Sequence, residues 1–171
     1  RVILVASRGD IGQQMAILTA APAAVPAALP PLPAPPAPVP DLPKLEFFNG
    51  TGGFAENGRE YVTILRDGKT TPAPWINVIA NPGFGFQVSA EGCGHVWSEN
   101  SKENQITPWS NDPVTDPAGE EIYLHDLDTG HVWTPTALPI RTPGTYIARH
   151  GFGYSTFAHE NHGVAAEMVQ F

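Results

Sequence analysis

The chain has 171 residues, among them 19 prolines and 17 glycines, with a formal net charge of −8 and a pI near 5.1. This length holds one ordinary domain plus extensions, and because the prolines crowd into one segment, roughly 130 residues remain for a globular unit. The acidic balance, with no local Lys/Arg cluster against it, argues against a nucleic-acid partner. The longest apolar run, Val2 to Ala6, is far below the roughly 18 residues that cross a bilayer and too short for a signal peptide, so this segment is expected to make no direct membrane insertion. Cys93 is the single cysteine, which excludes an internal disulfide and a cysteine-based zinc site.

Taken in order, residues 1–20 combine a β-branched run, Val2 to Val5, with a turn signal at Arg8-Gly9-Asp10 and a weakly amphipathic stretch from Ile11 to Leu18. This piece carries too little apolar surface to fold alone and reads as the tail of a preceding region. Residues 21–44 form an Ala/Pro tract in which proline blocks helix and ladder hydrogen bonds alike. An extended, polyproline-like linker is expected there, in preference to a Pro-rich ligand for an aromatic-lined groove.

Residues 45–171 read as all-β. Runs at Tyr61 to Leu65, Trp75 to Ala80, Phe84 to Val88, His95 to Trp97, Ile122 to Leu124, Val132 to Trp133, Tyr146 to Arg149 and Tyr154 to His159 are bounded by Gly, Pro, Asn or Asp, the pattern of strands. Arg66 to Lys69 and Asp126 to Gly130 are hairpin signals. No sustained 3.6-residue apolar period follows the linker, so long helices are not expected, and short strands at regular spacing point to an antiparallel sandwich. Cys93, between Gly92 and Gly94, reads as a turn or strand-end residue rather than a nucleophile.

General acid–base chemistry needs a proton donor, and Asp112, Asp116, Glu120, Glu121, Asp126 and Asp128 supply carboxyls. All lie in loop contexts, where acids ordinarily solvate the surface or close Asx turns; a self-sufficient hydrolase acting through Asp112 or Asp116 is the rival. The histidines, His95, His125, His131, His150, His159 and His162, read as satisfied surface residues rather than metal ligands, with His125 and His131 able to face each other across the second hairpin. His159 and His162 are spaced for a helix but lie in strand and loop, where such a pair splays apart. No metal site is expected.

Tryptophans and amides make the better case. Trp97, Trp109 and Trp133 offer flat apolar faces, and Asn100, Asn104, Gln105 and Asn111 offer donors and acceptors, the two surfaces a sugar requires. The amide-rich run from Ser98 to Asn111 reads as a loop built to bond something other than itself. Filling of the core is the competing role for any one tryptophan, and exposure of Trp97 or Trp109 separates the two. Arg149 is expected to pair with a loop acid, and Tyr154 to pack in the core while bonding through its hydroxyl.

Several segments together carry a resemblance: Phe47-Phe48-Asn49-Gly50, Trp75-Ile76-Asn77-Val78-Ile79-Ala80-Asn81-Pro82, Trp97-Ser98-Glu99-Asn100-Ser101, Thr107-Pro108-Trp109-Ser110-Asn111-Asp112-Pro113-Val114 and Arg149-His150-Gly151-Phe152-Gly153-Tyr154. They resemble the supersandwich domain of the glycoside phosphorylase family that includes cellobiose phosphorylase, most of all the copy in bacterial cyclic β-1,2-glucan synthases. The resemblance implies an antiparallel, galactose-mutarotase-like β-supersandwich, incomplete here and leaving unpaired edges. It also implies a catalytic Asp on a helical barrel beyond Phe171, inorganic phosphate as the parent's co-substrate with no other cofactor, and inversion at the anomeric carbon.

On this reading the chain is an internal fragment of such a synthase. Its phosphorylase-like region trims β-1,2-glucan, and the whole is held at the cytoplasmic face of the bacterial inner membrane. The fragment itself holds no catalytic residue. Its expected partners are β-1,2-glucan or a glucose oligosaccharide and the parent's helical barrel, with Trp97, Asn100, Asn104, Trp109, Asn111, Asp112, Arg149 and His150 as the candidate sugar contacts. An independent carbohydrate-binding module and a purely structural domain are the alternatives.

Overall fold

The structure is a computed structural model that describes residues 10, 42–110, 112 and 114–171. Apart from Asp10 and the last three linker positions, the tail at 1–20 and the Ala/Pro tract at 21–44 lie outside the described residues, as does Asn111. Apart from Asp10, the described residues belong to one compact unit, Ala34–Phe171.

That unit is all-β, as the alternation of its runs requires. Its strands are β1 (Gly52–Ala55), β2 (Glu60–Leu65), β3 (Ile76–Ala80), β4 (Phe84–Ser89), β5 (Gly94–Ser98), β6 (Leu124–His125), β7 (Val132–Trp133), β8 (Tyr146–Gly151), β9 (Tyr154–Asn161) and β10 (Val164–Gln170). A single 3₁₀ turn, Glu56–Gly58, is the only helical piece among the described residues, and no helix there is long and apolar enough to cross a membrane. The strands form a five-stranded sheet in the order β1-β2-β8-β9-β10, a three-stranded sheet β3-β4-β5 and the hairpin β6-β7, every pair antiparallel. Each run expected from the sequence contains a strand; β1 and β10 were not foreseen.

Along β9 the residues alternate between half-buried Tyr154, Thr156, Ala158 and Glu160 and buried Ser155, Phe157, His159 and Asn161. Phe157 and Ala148 of the large sheet meet Val88 and Phe86 of the three-stranded sheet and Trp75 and Ala90 at the ends of its strands, forming the core between the two. The opposite face of the large sheet buries Ala55, Val62, Ile64 and Ile147 beneath Leu45 and Ala158. A sandwich results because each sheet has one apolar face to hide. β10 pairs with β9 alone among the described strands, so one edge of the large sheet stays open.

Two turn assignments differ from the sequence reading. The Arg66–Lys69 turn forms, with the Lys69 N–H donating to the Arg66 carbonyl at 3.0 Å, but it does not close a hairpin. β2 pairs with β1 and β8, and the chain crosses from that turn to the other sheet. Local turn chemistry specifies a reversal, while the partner strand is chosen by which apolar faces meet. The Asp126–Gly130 turn does close the β6-β7 hairpin, yet His125 pairs with Val132, and the His131 ring lies instead 4.0 Å from that of His162.

Candidate functional site

The motifs that carried the family resemblance divide, in three dimensions, into clamps and one surface site. Asn77 of β3 reaches across the sandwich, its amide donating to the carbonyls of Gly151 (3.0 Å) and Tyr154 (2.9 Å) and to the Ser155 hydroxyl (3.0 Å). Arg149 to Tyr154 is therefore the β8-β9 hairpin, whose Gly151 and Tyr154 face each other across the Phe152-Gly153 turn. Asn81 accepts the Gly83 and Phe84 N–H groups and closes the β3-β4 turn, and Asn49 accepts those of Thr51 and Gly52. Asparagine serves at these points because its short carbonyl mimics a backbone acceptor.

Within the hairpin, Arg149 donates to Glu60 at 3.2 Å, and the Tyr154 hydroxyl donates to the other Glu60 oxygen at 2.6 Å. The partner of Arg149 is thus a strand residue, not the expected loop acid, because β8 and β2 are neighbours and direct both side chains to one face. Tyr154 bonds through its hydroxyl as expected, but its ring is half-buried beside a groove rather than in the core. Its phenol is held above its usual range by the bond to Glu60. His150 points to the inner face, bonded to the Ser155 hydroxyl at 2.9 Å. Burial there lowers its pKa, so the neutral ring is favoured.

The tryptophans separate cleanly. Trp97 is 8% exposed and packs over Gly85, where an added Cβ would lie 2.6 Å from its ring, so it offers no free face. Trp133 is likewise buried. Trp109 is 39% exposed and stacks on buried His95 with ring centroids 5.4 Å apart and an interplanar angle of 13°. The His95 ring nitrogens face the carbonyls of Thr107 at 3.0 Å and Ser101 at 3.2 Å, so this side chain ties the loop after β5 to the strand and backs the tryptophan.

Trp109 forms one wall of a cavity of about 230 Å³ lined also by Ile76, Gln87, Cys93, Asp112 and Asp116. Asp112 is committed to its own turn, accepting the N–H groups of Val114 (2.8 Å) and Thr115 (3.0 Å) and the Thr115 hydroxyl (2.7 Å). The Thr115 hydroxyl and these amides hold its carboxyl below the usual range, which makes it an acceptor and a poor proton donor. Asn100 is also spent locally, accepting the N–H groups of Lys102 and Glu103. The amide-rich loop therefore bonds itself more than expected. Asn104 is exposed.

Sequence reasoning missed what lies beneath this cavity. Asp116 and Glu121 were read as surface acids, but both are half-buried against Cys93. Burial raises both carboxyls, Glu121 to about 7. Burial, followed by the nearby Asp116 and Glu121 charges, pushes the Cys93 thiol far up, in keeping with an unreactive cysteine. His95 and His159 are buried rather than on the surface; His159 stacks on Tyr146 with centroids 3.7 Å apart and bonds Thr142 and Thr145. Among the described residues no group of three or more His, Cys, Asp or Glu side chains is arranged to hold a metal ion.

An antiparallel sandwich with an aromatic shelf beside a small cavity agrees with a domain associated with carbohydrate enzymes, the class to which the family match assigns it. The chain belongs to the family described as Glycosyl hydrolase 94, supersandwich domain, whose profile matches residues 59–171. It is 54% identical over 114 residues, 66% of its length, to the cyclic β-(1,2)-glucan synthase NdvB of Rhizobium meliloti (strain 1021), of which it spans 4%. It is 30% identical over 123 residues, 70% of its length, to an N,N'-diacetylchitobiose phosphorylase of Vibrio furnissii, spanning 15% of that protein. A 3-O-β-D-glucopyranosyl-β-D-glucuronide phosphorylase of Paenibacillus borealis is 27% identical over 121 residues, 70% of this chain and 14% of that one.

Proposed function

We propose that this domain is the non-catalytic, sugar-contacting sandwich of a cyclic β-1,2-glucan synthase, holding a glucose unit of a β-1,2-glucan against Trp109. The observation that carries the reading is the exposed Trp109 face, stiffened from behind by His95 and bordered by Gln87, Asp112 and Asp116. An aromatic face takes up the apolar C–H side of a sugar ring while neighbouring amide and carboxylate groups bond its hydroxyls. A cavity of about 230 Å³ falls below the roughly 300–1,000 Å³ of pockets that enclose drug-sized ligands, so it suits one ring rather than a chain segment. Membership of the family and the 54% identity to a glucan synthase support the choice of glucan.

In this reading proton donation belongs to a helical barrel elsewhere in the parent protein, with inorganic phosphate as co-substrate in inverting phosphorolysis. The parent is a larger membrane protein acting at the cytoplasmic face of the bacterial inner membrane. The test is calorimetric titration of the full chain with β-1,2-linked gluco-oligosaccharides. Trp109→Ala is expected to weaken binding about 2- to 10-fold, the worth of roughly 0.5–1.5 kcal/mol for one aromatic face. Equal affinity in the variant refutes the Trp109 site, and the absence of saturable heat with any oligosaccharide leaves a purely structural domain.

A further inference from the structure

The segment from Asp116 to Glu121 lies against the turn that joins β4 to β5, and its fastening is unusual. Ser89 directs its hydroxyl oxygen at the Gly92 and Cys93 N–H groups, both at 3.1 Å, fixing that turn. Asp116 neighbours the Ser89 hydroxyl and the Cys93 thiol, and Glu121 neighbours the same thiol. Asp116 Oδ2 and Glu121 Oε1 are both sealed from solvent with no hydrogen-bond donor. A carboxylate oxygen in that position costs about 1–3 kcal/mol or more, whereas a protonated carboxyl carries its own O–H and removes part of the deficit.

Among the described residues no free cation is placed to do that work. Arg141 is committed to Glu91 and to the Lys69 carbonyl. Glu91 on the turn, Glu120 on the segment itself and Asp112 in the preceding loop are further acids, and His95 of β5 is the remaining titratable group, acting on Glu120. On the far side, Thr136, Met168 and Gln170 line a cavity of about 240 Å³ with Glu120 and Glu121, and Gln170 Oε1 also lacks a donor there.

We propose that Asp116 and Glu121 form a protonation-dependent latch, which fastens their segment to the β4-β5 turn over Cys93 while a carboxyl is protonated and loosens it once both are ionised. Asp116 and Pro117 are walls of the Trp109 cavity, so the latch sets whether that cavity is formed. This consequence rests on the reading of the cavity as a sugar site; the latch itself does not. Burial is the cause of both raised carboxyls, so the docked state is favoured below the ordinary carboxyl range. Its advantage declines as pH rises from 4.5 toward 7, the ordinary and the docked values for Glu121. Glu121 is partly exposed, and solvent screening brings the expected change in the opening equilibrium to about tenfold across that window.

Cys93 is the sole cysteine and lies buried under the latch, so its labelling reports opening without any sugar present. The full chain is labelled with a dipyridyl disulfide, which reads thiols in acid as well as at neutrality, and each rate is divided by that of the denatured chain at the same pH. Protection is expected to fall about tenfold from pH 4.5 to 7. In Glu121→Gln, whose amide supplies a donor without charge, protection is expected to lose most of its slope, and in Asp116→Asn, which leaves Glu121 to titrate, the slope is expected to be reduced but retained. A flat profile in the parent chain overturns the latch, as does an unchanged slope in Glu121→Gln, which assigns the response to another group. Calorimetry run alongside separates the two readings. PH-dependent protection without oligosaccharide binding removes the sugar site alone, and binding with pH-independent protection removes the latch alone.

Discussion

The most exacting stability test concerns Glu91, which sits in the β4-β5 turn and ties two distant segments, around Thr71 and around Arg141, to it. Its carboxylate accepts the Thr71 N–H at 2.9 Å and the Thr71 hydroxyl at 3.1 Å, and pairs with Arg141, whose other nitrogen donates to the Lys69 carbonyl at 2.9 Å. Its own carbonyl accepts the Leu138 N–H at 2.9 Å. The side chain is 8% exposed and that of Arg141 is 22% exposed. Glu91→Ala leaves the Thr71 N–H and hydroxyl buried without an acceptor, at about 1–3 kcal/mol, and leaves a guanidinium unpaired. Breaking a buried pair from one side costs roughly 3–5 kcal/mol, and water reaching Arg141 relieves part of that.

The expected loss is about 4 kcal/mol in all, a fall in melting temperature of roughly 10–15 °C for a unit of this size. Glu91→Gln keeps one acceptor for Thr71 and loses the charge, so it belongs between parent and alanine, at about 2 kcal/mol. Urea unfolding of both variants, with Arg141→Met completing a double-mutant cycle, gives the measurement. A loss below about 1 kcal/mol in Glu91→Ala, or strict additivity with Arg141→Met, refutes the reasoning, because either means that the carboxylate does not hold these segments.

Two further substitutions probe the same architecture. Asn77→Ala removes the donor shared by Gly151, Tyr154 and Ser155, and is expected to cost about 2 kcal/mol and to raise amide exchange selectively at the β8-β9 turn; unchanged exchange there speaks against the clamp. Gly92→Ala places a Cβ against the Thr136 side chain at a backbone φ of +107°, so a loss of more than about 3 kcal/mol is expected, and a urea midpoint within error of the parent contradicts it.

The strands were legible because their signal is local. β2, β4, β5, β8 and β9 each combine β-branched or aromatic residues with Gly, Pro, Asn or Asp at their ends. β1 escaped because Gly-Gly-Phe-Ala has little strand propensity and is held by pairing with Glu60 to Thr63. β10 escaped because Val164 to Gln170 alternates weakly, and its order comes from a full register against β9. The pairing of β2 with β8, eighty residues later in the chain by the numbering, is a non-local choice that no turn signal announces.

The site was legible in its chemistry but not in its geometry. Trp97 and Trp109 are equivalent as residue types, and what separates them is that Trp97 lies opposite Gly85 in the β4-β5 pair while Trp109 rests on His95. A glycine across from an aromatic on neighbouring strands was the available sign that Trp97 is covered. The acids were misread for a related reason. Asp112 and Asp126 have a threonine three positions on, which accounts for their turns, whereas Asp116 and Glu121 lack one and have only the thiol and hydroxyl of the β4-β5 turn to meet.

That contrast bears on how the motifs should be weighed. Most of the asparagines that made the sequence recognisable spend their side chains on turns and on the seam between the sheets, so their recurrence follows from folding and carries no information about a ligand. Trp109 is different: its ring stacks on His95 and stays 39% exposed, and no hydrogen bond of the fold among the described residues is seen to use it. A large aromatic side chain held rigidly by its neighbour and still partly open to solvent offers a surface that the fold itself does not consume, so Trp109, rather than the more numerous amides, is the residue placed to meet a ligand.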